Sequence, residues 1–300
     1  RLDLDDRPVV LSGVNGAGKT NLLEAVSFLA PGRGLRRARL AEIGRRGLCN
    51  DNGLPWAVAA TLRTGADNVN IGTGLATTET GNSGRRIVRI NGTDAQSQSA
   101  LGDHLTVAWL TPEMDRLFSD AAAARRRFLD RLIFGLDGGH ASLLGDYERT
   151  MRERNHLLRD GGAPDNTWLT ALEHSMAQFG VAVAVARRRF IDRLNAACAV
   201  GTEPFPTAEL MLHSDVGDQL KDAPALDVEE YYHIRLAENR RIDIEAGRTT
   251  FGIHRDDLEC RHLTTSSPAE RCSTGEQKAL LISIVLANAR LQALERGTAP

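Results

Sequence analysis

The chain has 300 residues, of which 42% are hydrophobic and 25% charged, and its formal net charge is −2. This length is typical of about two domains, and the composition is typical of a globular chain rather than a disordered or fibrous one. The near-neutral charge excludes a histone-like protein held to nucleic acid by bulk charge, although it allows a local basic patch. No run approaches the roughly 18 consecutive apolar residues of a membrane-spanning helix, so no membrane association is expected.

The cysteines and the first residues bear on the compartment. The four cysteines, at positions 49, 198, 260 and 272, are scattered and form no CxxC pair. This spacing argues against a zinc site or a disulfide framework and favours a reducing environment. Residues 1–12 have no basic segment followed by a cleavage site, so no secretion signal is expected. We therefore expect a cytoplasmic protein.

The first third of the chain is predicted to be strand, loop, helix and then sheet. Val9–Leu11 is a short β-branched run typical of a buried strand, and apolar residues at helical spacing predict a helix over Thr20–Ala30. A largely antiparallel sheet is predicted from strands at Trp56–Leu62, Val69–Ile71, Ile87–Ile90 and Val107–Leu110. Asn91-Gly92 is a hairpin turn signal between two of these strands.

The middle of the chain, from residue 120 to 200, is predicted to be helical. Apolar residues advance by alternate steps of three and four over residues 167–194, which is a heptad pattern. A second stripe over residues 144–158 is interrupted by Arg154. The glycine- and proline-containing segment 159–166 separates the two stripes. The pattern allows either a helical hairpin that protrudes from or caps a strand-rich core, or a helical bundle without protrusion.

The last third returns to strands and ends in a long helix. A strand is predicted at Glu209–His213, and Asp227 with Glu230 resembles a capping box that opens a helix through residue 237. A short sheet over residues 248–263 and a helix over Ala279–Leu294 follow. The chain is thus predicted to have three parts, residues 1–118, 119–205 and 206–300, with the helical part inserted between the two halves of an α/β lobe.

The strongest motif is a match to GxxxxGK[ST] between the first predicted strand and helix. Its glycines let successive backbone N–H groups turn toward a phosphate, and the helix N-terminus adds positive potential. Lys19 is expected to bridge the β- and γ-phosphates of ATP, and Thr20 to bind Mg²⁺. The predicted nucleotide-binding residues are Gly13, Val14, Asn15, Gly16, Ala17, Gly18, Lys19, Thr20 and Asn21.

A second motif precedes the last helix. Ser273 and Glu276 have the spacing of a capping box. Together with a P-loop some 250 residues earlier, the segment also resembles the signature motif of ABC-type ATPases, in which a serine and a glycine contact the γ-phosphate held by the opposite subunit. The predicted contact residues are Ser273, Thr274, Gly275, Glu276 and Gln277.

Several further motifs in order along the chain resemble the RecF family of bacterial recombination mediators. They are the run from Val9 to Leu35, Leu110–Glu113, Arg125–Asp130, Gly252–Leu258 and Ser273–Leu280. The resemblance implies a P-loop ATPase head of the ABC/SMC type, related to SMC and Rad50, with an inserted helical second lobe. A structural SMC- or Rad50-like head is the alternative, which the short helical hairpin disfavours. A transporter ATPase subunit would need a membrane partner, and an unrelated P-loop kinase does not account for Ser273–Lys278.

The resemblance also implies a mechanism and partners. Two heads are expected to dimerise around ATP and Mg²⁺, and dimerisation is expected to switch binding to single-stranded, gapped and double-stranded DNA. Relatives act with RecO and RecR, support loading of RecA and serve the SOS response. Arg33, Arg36 and Arg37 are candidate contacts to DNA or nucleotide phosphates. The arginine runs 125–127 and 187–189 are weaker candidates, because consecutive helical residues point in different directions.

Three features depart from the family pattern. Ile253 stands where a proline is expected, and Cys272 where a leucine commonly precedes the signature. The third departure is that no apolar strand ending in an acidic pair follows Ser273. In addition, the chain starts at Arg1 without a methionine. We therefore expect a fragment of an ATPase that lacks both ends, including the Walker B strand. Because the Walker B carboxylates that position Mg²⁺ and the attacking water are missing, the fragment is expected to bind ATP but to hydrolyse it poorly.

Overall fold

The computed structural model describes residues 2–5, 7–36, 38–44, 56–64, 67–76, 85–159, 166–297 and 300. The chain divides into two compact units, Arg1–Val107 and Ala108–Pro300. The division into residues 1–118, 119–205 and 206–300 stays a prediction.

The first unit is a small antiparallel sheet with two helices. Helices α1 (Lys19–Ser27) and α2 (Leu40–Ile43) come first, followed by strands β1 (Ala57–Thr64), β2 (Asp67–Leu75), β3 (Arg86–Ile90) and β4 (Thr93–Asp94). The strands pair in chain order, each antiparallel to the next. Asn91 and Gly92 have φ angles of 49° and 83°, as the predicted hairpin turn requires. The antiparallel sheet is thus confirmed for three of the four predicted strands.

Two of the predicted short strands are wrong. Val9 and Val10 are 56% and 88% exposed and are not in a strand. A buried strand needs neighbours on its edges, and none of the described strands pairs with this run. Val107–Leu110 is also not a strand. This segment spans the division between the two units, and the guanidinium of Arg131 stacks over the ring of Trp109 at 4.9 Å.

The second unit contains seven helices among its described residues, with a three-stranded sheet. Its elements are α3 (Ala122–Phe134), α4 (His140–Arg159), α5 (Asn166–Ala199), β5 (Ala208–His213), α6 (Asp215–Gln219), α7 (Ala225–Glu238), α8 (Arg240–Ala246), β6 (Asp257–His262), β7 (Ser267–Pro268) and α9 (Thr274–Arg296). The antiparallel strand order is β5-β6-β7. Two apolar cores fill the unit: one lies among α3, α5, β5, β6 and α9, and the other among α4, α5 and α7.

Helix α5 resolves the choice between a protruding hairpin and a bundle. The heptad residues Leu169, Met176 and Val183 are fully buried, as predicted. Ala177 and Ala184, outside the heptad, are buried too, because α5 packs against α4, α7 and α9 and not against one partner. Helices α4 and α5 therefore belong to a bundle. An 18-residue window of α5 reaches a mean hydropathy of 1.2, and half of that window is buried, which is also typical of a soluble protein's core helix.

The boundaries of the last predicted elements also change. Helix α7 begins at Ala225 after Pro224, so Asp227 lies in its first turn and is not the cap. Residues 248–252 are not in a strand, because Gly252 has a φ of 133° and leads into a short 3₁₀ turn, and only Asp257–His262 pairs in the sheet. Helix α9 begins at Thr274, five residues earlier than predicted.

Candidate nucleotide-binding segments

The P-loop segment, residues 13–20, forms a turn that leads directly into α1. Gly13, Gly16 and Gly18 have φ angles of 152°, 86° and 87°. A side chain at Gly16 or Gly18 would meet no atom within 4 Å, so glycine is needed for its backbone conformation and not for space. The loop is exposed to solvent. It therefore has the left-handed residues that turn backbone N–H groups toward one side of a loop.

The start of α1 has no side-chain cap. Gly18, in the left-handed conformation, is the N-cap and offers no side chain. The first N–H groups of a helix have no intrahelical acceptor, so this end is suited to an anion. The ammonium of Lys19 donates to the carbonyl oxygens of Gly13 and Val14, at 2.7 and 2.9 Å. The Lys19 side chain is thus folded back over the P-loop, and Thr20 and Asn21 are exposed beside it.

The loop after α1 is tied to the buried side of that helix. The carboxylate of Glu24 accepts the backbone N–H of Arg36 at 3.1 Å, and the hydroxyl of Ser27 accepts that of Leu35 at 2.8 Å. Both side chains are buried, whereas Leu23 and Val26, predicted for the apolar face, are 52% and 37% exposed. The helix therefore turns a partly polar face inward, because that face binds the loop.

This loop displays two of the three candidate arginines. Arg33 and Arg36 are exposed. Arg37 lies outside the described residues, as do Arg45 and Arg46. The loop conformation depends on Gly34, which has a φ of 70° and whose added Cβ would lie 2.7 Å from the ring of Phe28.

Arg86 is an important residue of the first unit that the sequence analysis missed. It is 4% exposed and donates to the carbonyl oxygens of Phe28, Ala30 and Gly32. Burial lowers the pKa of Arg86 to about 10. Its guanidinium joins the end of α1 and the following loop to β3. The signal was weak, since alternation places Arg86 on the same face of the strand as Val88 and Ile90.

The signature segment has a complete capping box. The Ser273 hydroxyl accepts the N–H of Glu276 at 3.3 Å, and the Glu276 carboxylate accepts both the N–H and the hydroxyl of Ser273, each at 2.8 Å. These hydrogen bonds lower the pKa of Glu276. Ser273, Thr274, Gly275 and Glu276 are all exposed. The capping role expected for Ser273 is confirmed, and its hydroxyl is accessible from outside.

The next residues hold the signature helix in the second unit. Gln277 is 6% exposed and donates to the carbonyl of Cys272 at 3.0 Å, while its oxygen accepts the Ser119 hydroxyl. Lys278 forms an ion pair with Asp115 at 3.0 Å. Glu113 is exposed in the same 3₁₀ turn as Asp115. Gln277 thus braces the start of α9 from within the unit.

Three arginines of the two runs, Arg125, Arg126 and Arg187, bind groups of the fold. Arg187 is 2% exposed and makes a two-pronged contact with Asp130, at 2.8 and 2.9 Å, and a 2.8 Å contact with Asp256. Arg125 pairs with Asp257 at 2.7 Å, and Arg126 donates to the carbonyl of Asp256. These three arginines are therefore not available as a DNA-binding stripe.

The pKa values in this cluster follow from burial and charge. Burial opposes the ionisation of Asp130, but the hydrogen bond from His140 and the charge of Arg187 hold its pKa below its ordinary value. Burial raises the pKa of Asp256 to about 6, although Arg187 donates to it. The cluster therefore depends on Arg187 staying in place.

His254 braces the structure through hydrogen bonds of both ring nitrogens. Its Nε2 lies 3.0 Å from the carbonyl of Thr249, so this nitrogen donates, and its Nδ1 accepts from the Tyr147 hydroxyl at 2.8 Å. The hydroxyl of Tyr147 is also hydrogen-bonded to the hydroxyl of Tyr232, which accepts the N–H of Ile253. Burial, aided by the charges of Arg126 and Arg255, lowers the pKa of His254 to about 4.

A second buried ion cluster surrounds Arg154, the residue that interrupts the predicted stripe on α4. Arg154 is fully buried and binds Glu173 at 3.1 Å and Asp243 at 2.7 Å. It also donates to Thr249 and to the carbonyl of Leu236. The interrupted stripe was the visible signal, but the partners of Arg154 lie far away in the chain and could not be identified from it.

The two predicted nucleotide-contacting segments lie in different units, the P-loop in the first and the signature in the second. Among the described residues, no group of histidine, cysteine, aspartate and glutamate side chains is arranged to hold a metal ion. The prediction that Thr20 binds Mg²⁺ therefore stays a prediction, as do the predicted contacts of the signature across a dimer.

Comparison with known proteins agrees with the motifs. No family model matches the chain. The chain is 50% identical over 301 residues to the DNA replication and repair protein RecF of Mesorhizobium japonicum, and this alignment covers the whole chain and 78% of that relative. It is 49% identical over 303 residues to the RecF protein of Rhizobium meliloti, with the same coverage.

Solved structures agree on the fold. The structure of the recombination mediator protein RecF–ATPrS in the RecFOR pathway superposes with a TM-score of 0.81 at 21% identity, over 96% of this chain and 76% of that one. A RecF–ATP structure gives a TM-score of 0.80. The predicted ATPase-head fold is thus confirmed. At about half identity along its full length, the chain belongs to the RecF family of DNA replication and repair proteins.

Proposed function

We propose that the chain is an ATP-controlled DNA-binding protein of recombinational repair and replication. The observation that carries the proposal is the P-loop, whose three glycines have positive φ angles and whose helix begins without a side-chain cap. That geometry suits a phosphate chain. The ATP and ATPrS named for the two structural relatives support the same ligand.

Each residue of the P-loop has a separate part in this proposal. The backbone N–H groups around Gly16 and Gly18 surround the β-phosphate, and the N-terminus of α1 adds positive potential. Lys19 exchanges its two loop carbonyls, Gly13 and Val14, for phosphate oxygens. The hydroxyl of Thr20 binds Mg²⁺, which neutralises phosphate charge when bound.

ATP binding is proposed to control dimerisation. In an ATP-dependent homodimer, the exposed signature of one copy would contact the γ-phosphate held by the other. Ser273 would donate its hydroxyl to that phosphate instead of to Glu276, at little cost because both are solvent-exposed. The capping bond from the N–H of Glu276 to Ser273 can persist during this exchange.

The DNA and protein partners come from the family. We infer that the dimer binds single-stranded, gapped and double-stranded DNA in the cytoplasm, acts with RecO and RecR, and supports RecA loading and the SOS response. The RecFOR pathway named for a structural relative supports this assignment.

ATP binding is tested by Lys19→Ala. This change removes the phosphate-bridging ammonium, and we expect calorimetric titration with ATP and Mg²⁺ to show binding by the parent chain and none by the variant. Lys221→Ala is the matched control, because Lys221 is an exposed lysine paired with Asp218. Equal affinities of the parent and the Lys19 variant would overturn the proposed site.

The dimer is tested by Ser273→Arg. The arginine side chain blocks the contact with the γ-phosphate of the other copy but leaves the P-loop unchanged. We therefore expect normal ATP titration and loss of the ATP-dependent dimer in sedimentation velocity. Ser97→Arg, at another exposed serine, should dimerise like the parent. A Ser273→Arg chain that still dimerises with ATP would refute the sandwich arrangement.

A further inference from the structure

Helix α4 presents a line of basic side chains that neither the motifs nor the proposed nucleotide contacts explain. Arg149, Arg152, His156 and Arg159 follow each other by three, four and three residues, and all four are exposed. This spacing places them on one face of the helix. We call these four residues the α4 stripe.

The orientation of the α4 stripe is fixed by the buried side of its helix. Tyr147, Arg154 and Leu158 are 0%, 0% and 6% exposed and lie on the opposite face. Arg154 binds Glu173 and Asp243 there, so α4 cannot rotate without breaking buried ion pairs. The α4 stripe is therefore a permanent part of the surface.

The three arginines of the α4 stripe make their described contacts at the surface. Arg149, 60% exposed, pairs with Asp146 at the edge of the stripe. Arg152 and Arg159 donate to the carbonyl oxygens of Glu148 and Gly247, which are neutral acceptors. Arg248, also exposed, follows Gly247 in the chain and adds a further cation at this end. The Arg149 pair lies at the surface, whereas Arg187 pairs with Asp130 inside the unit.

The dimensions of the α4 stripe suit a sugar-phosphate backbone. Ten residues separate Arg149 from Arg159, which corresponds to about 15 Å along the helix axis. This length is comparable to the roughly 12 Å width of the major groove of B-DNA, so the arginines can reach phosphates at a groove edge. Glu148 and Glu153 flank the α4 stripe and are exposed. These two carboxylates narrow the region of positive potential to the α4 stripe. A narrow positive region fits a line of phosphates better than it fits a broad acidic surface.

We propose that the α4 stripe is a binding site for the phosphate backbone of duplex DNA. The inference rests on the proposed DNA-binding function and assigns that function to a surface. Because the contacts are to phosphates, they position the duplex and supply affinity without reading its sequence. An acidic protein segment is the competing partner, and the experiment below separates the two.

The test is the salt dependence of DNA binding by Arg149→Gln/Arg152→Gln/Arg159→Gln. Each lost phosphate contact reduces the slope of log K against log salt by about 0.9, so we expect the slope to fall by about 2.7 and the affinity by at least about tenfold near 0.1 M salt. Fluorescence anisotropy with a labelled 30-base-pair duplex and ATP measures both. The matched control, Arg89→Gln/Arg189→Gln/Arg261→Gln, makes the same change in net charge at exposed positions elsewhere and should keep the parent's slope.

A second variant tests the α4 stripe by raising its positive potential. Glu148→Gln/Glu153→Gln removes the flanking carboxylates, and we expect tighter duplex binding with a steeper salt slope. If the parent does not bind DNA, the proposed function fails. If the parent binds DNA but the α4-stripe variant keeps its slope and affinity, this inference alone is overturned.

Discussion

Charged residues serve different purposes in the interior of the second unit and in the exposed loops. Inside, Arg154 and Arg187 each bind two carboxylates and are at most 2% exposed. In the first unit, Lys19 donates to the carbonyl oxygens of the P-loop from the start of α1, and Arg33 is exposed in the loop that follows α1. A buried ion pair must be satisfied by its neighbours, whereas an exposed cation can exchange its partners for a phosphate.

The comparison shows that an arginine-rich run does not by itself identify a phosphate site. Arg187 and Arg189 are two residues apart on α5, yet one is 2% exposed and the other lies at the surface. Tertiary packing decides which of them can contact a ligand. The predictions below test this division, beginning with the largest effect.

Arg187→Met is expected to destabilise the chain most. It leaves the carboxylates of Asp130 and Asp256 buried without their cation, which typically costs about 3–5 kcal/mol. Urea unfolding followed by circular dichroism measures the loss. Arg189→Gln is the matched control from the same run, and as an exposed change it should stay within about 0.5 kcal/mol of the parent. Similar losses for both variants would remove the distinction between interior and surface arginines.

Local sequence patterns predicted some of the exposed functional residues better than the buried charged ones. The P-loop and the capping box of Ser273 depend on residues within eight positions of each other, so the sequence was sufficient to find them. Arg154 and Arg187 had a weaker signal, since each lies among apolar residues at helical spacing. A charged residue in such a stripe predicts burial with a partner. It does not identify partners such as Asp243, which lies 89 residues away.

Long-range pairing explains the errors. Val9–Leu11 has the composition of a buried strand, but burial depends on which strands lie beside it, and that is not a property of three residues. The short sheet predicted over residues 248–263 is a second such error, because the strand begins only at residue 257. Residues 253–255 form a 3₁₀ turn, and the carbonyl of Ile253 in that turn accepts from Arg187, 66 positions away. Local periodicity cannot show either arrangement.

His254 gives the next largest effect, and it depends on pH. The native chain holds the imidazole neutral, with a pKa of about 4, whereas the unfolded chain binds a proton near pH 6.5. Stability is therefore lost as the pH falls from about 6.5 to 4, by on the order of 3 kcal/mol. Protonation would also make Nδ1 a donor toward the Tyr147 hydroxyl, which now donates to it.

The His254→Gln variant isolates this contribution. Asp256, whose pKa of about 6 gives a pH dependence of opposite sign, is present in both proteins and largely cancels in their difference. The parent should therefore lose stability relative to the variant when urea unfolding is repeated at pH 7, 5.5 and 4. A difference that stays constant with pH would mean that His254 is not held neutral by the interior.

Ser273→Ala gives the smallest effect and tests the exposed side of the comparison. The hydroxyl caps α9, and its loss is expected to cost about 1 kcal/mol. Thr274→Ala, one residue later and also exposed, removes a hydroxyl that makes no capping bond and should cost less. Alanine is small enough not to block a dimer, so a weakened ATP-dependent dimer in Ser273→Ala would show that the hydroxyl contacts phosphate as well as capping the helix. A stable dimer with a destabilised chain would restrict Ser273 to its capping role, and it would leave the uncapped N-terminus of α1 as the phosphate-binding helix end.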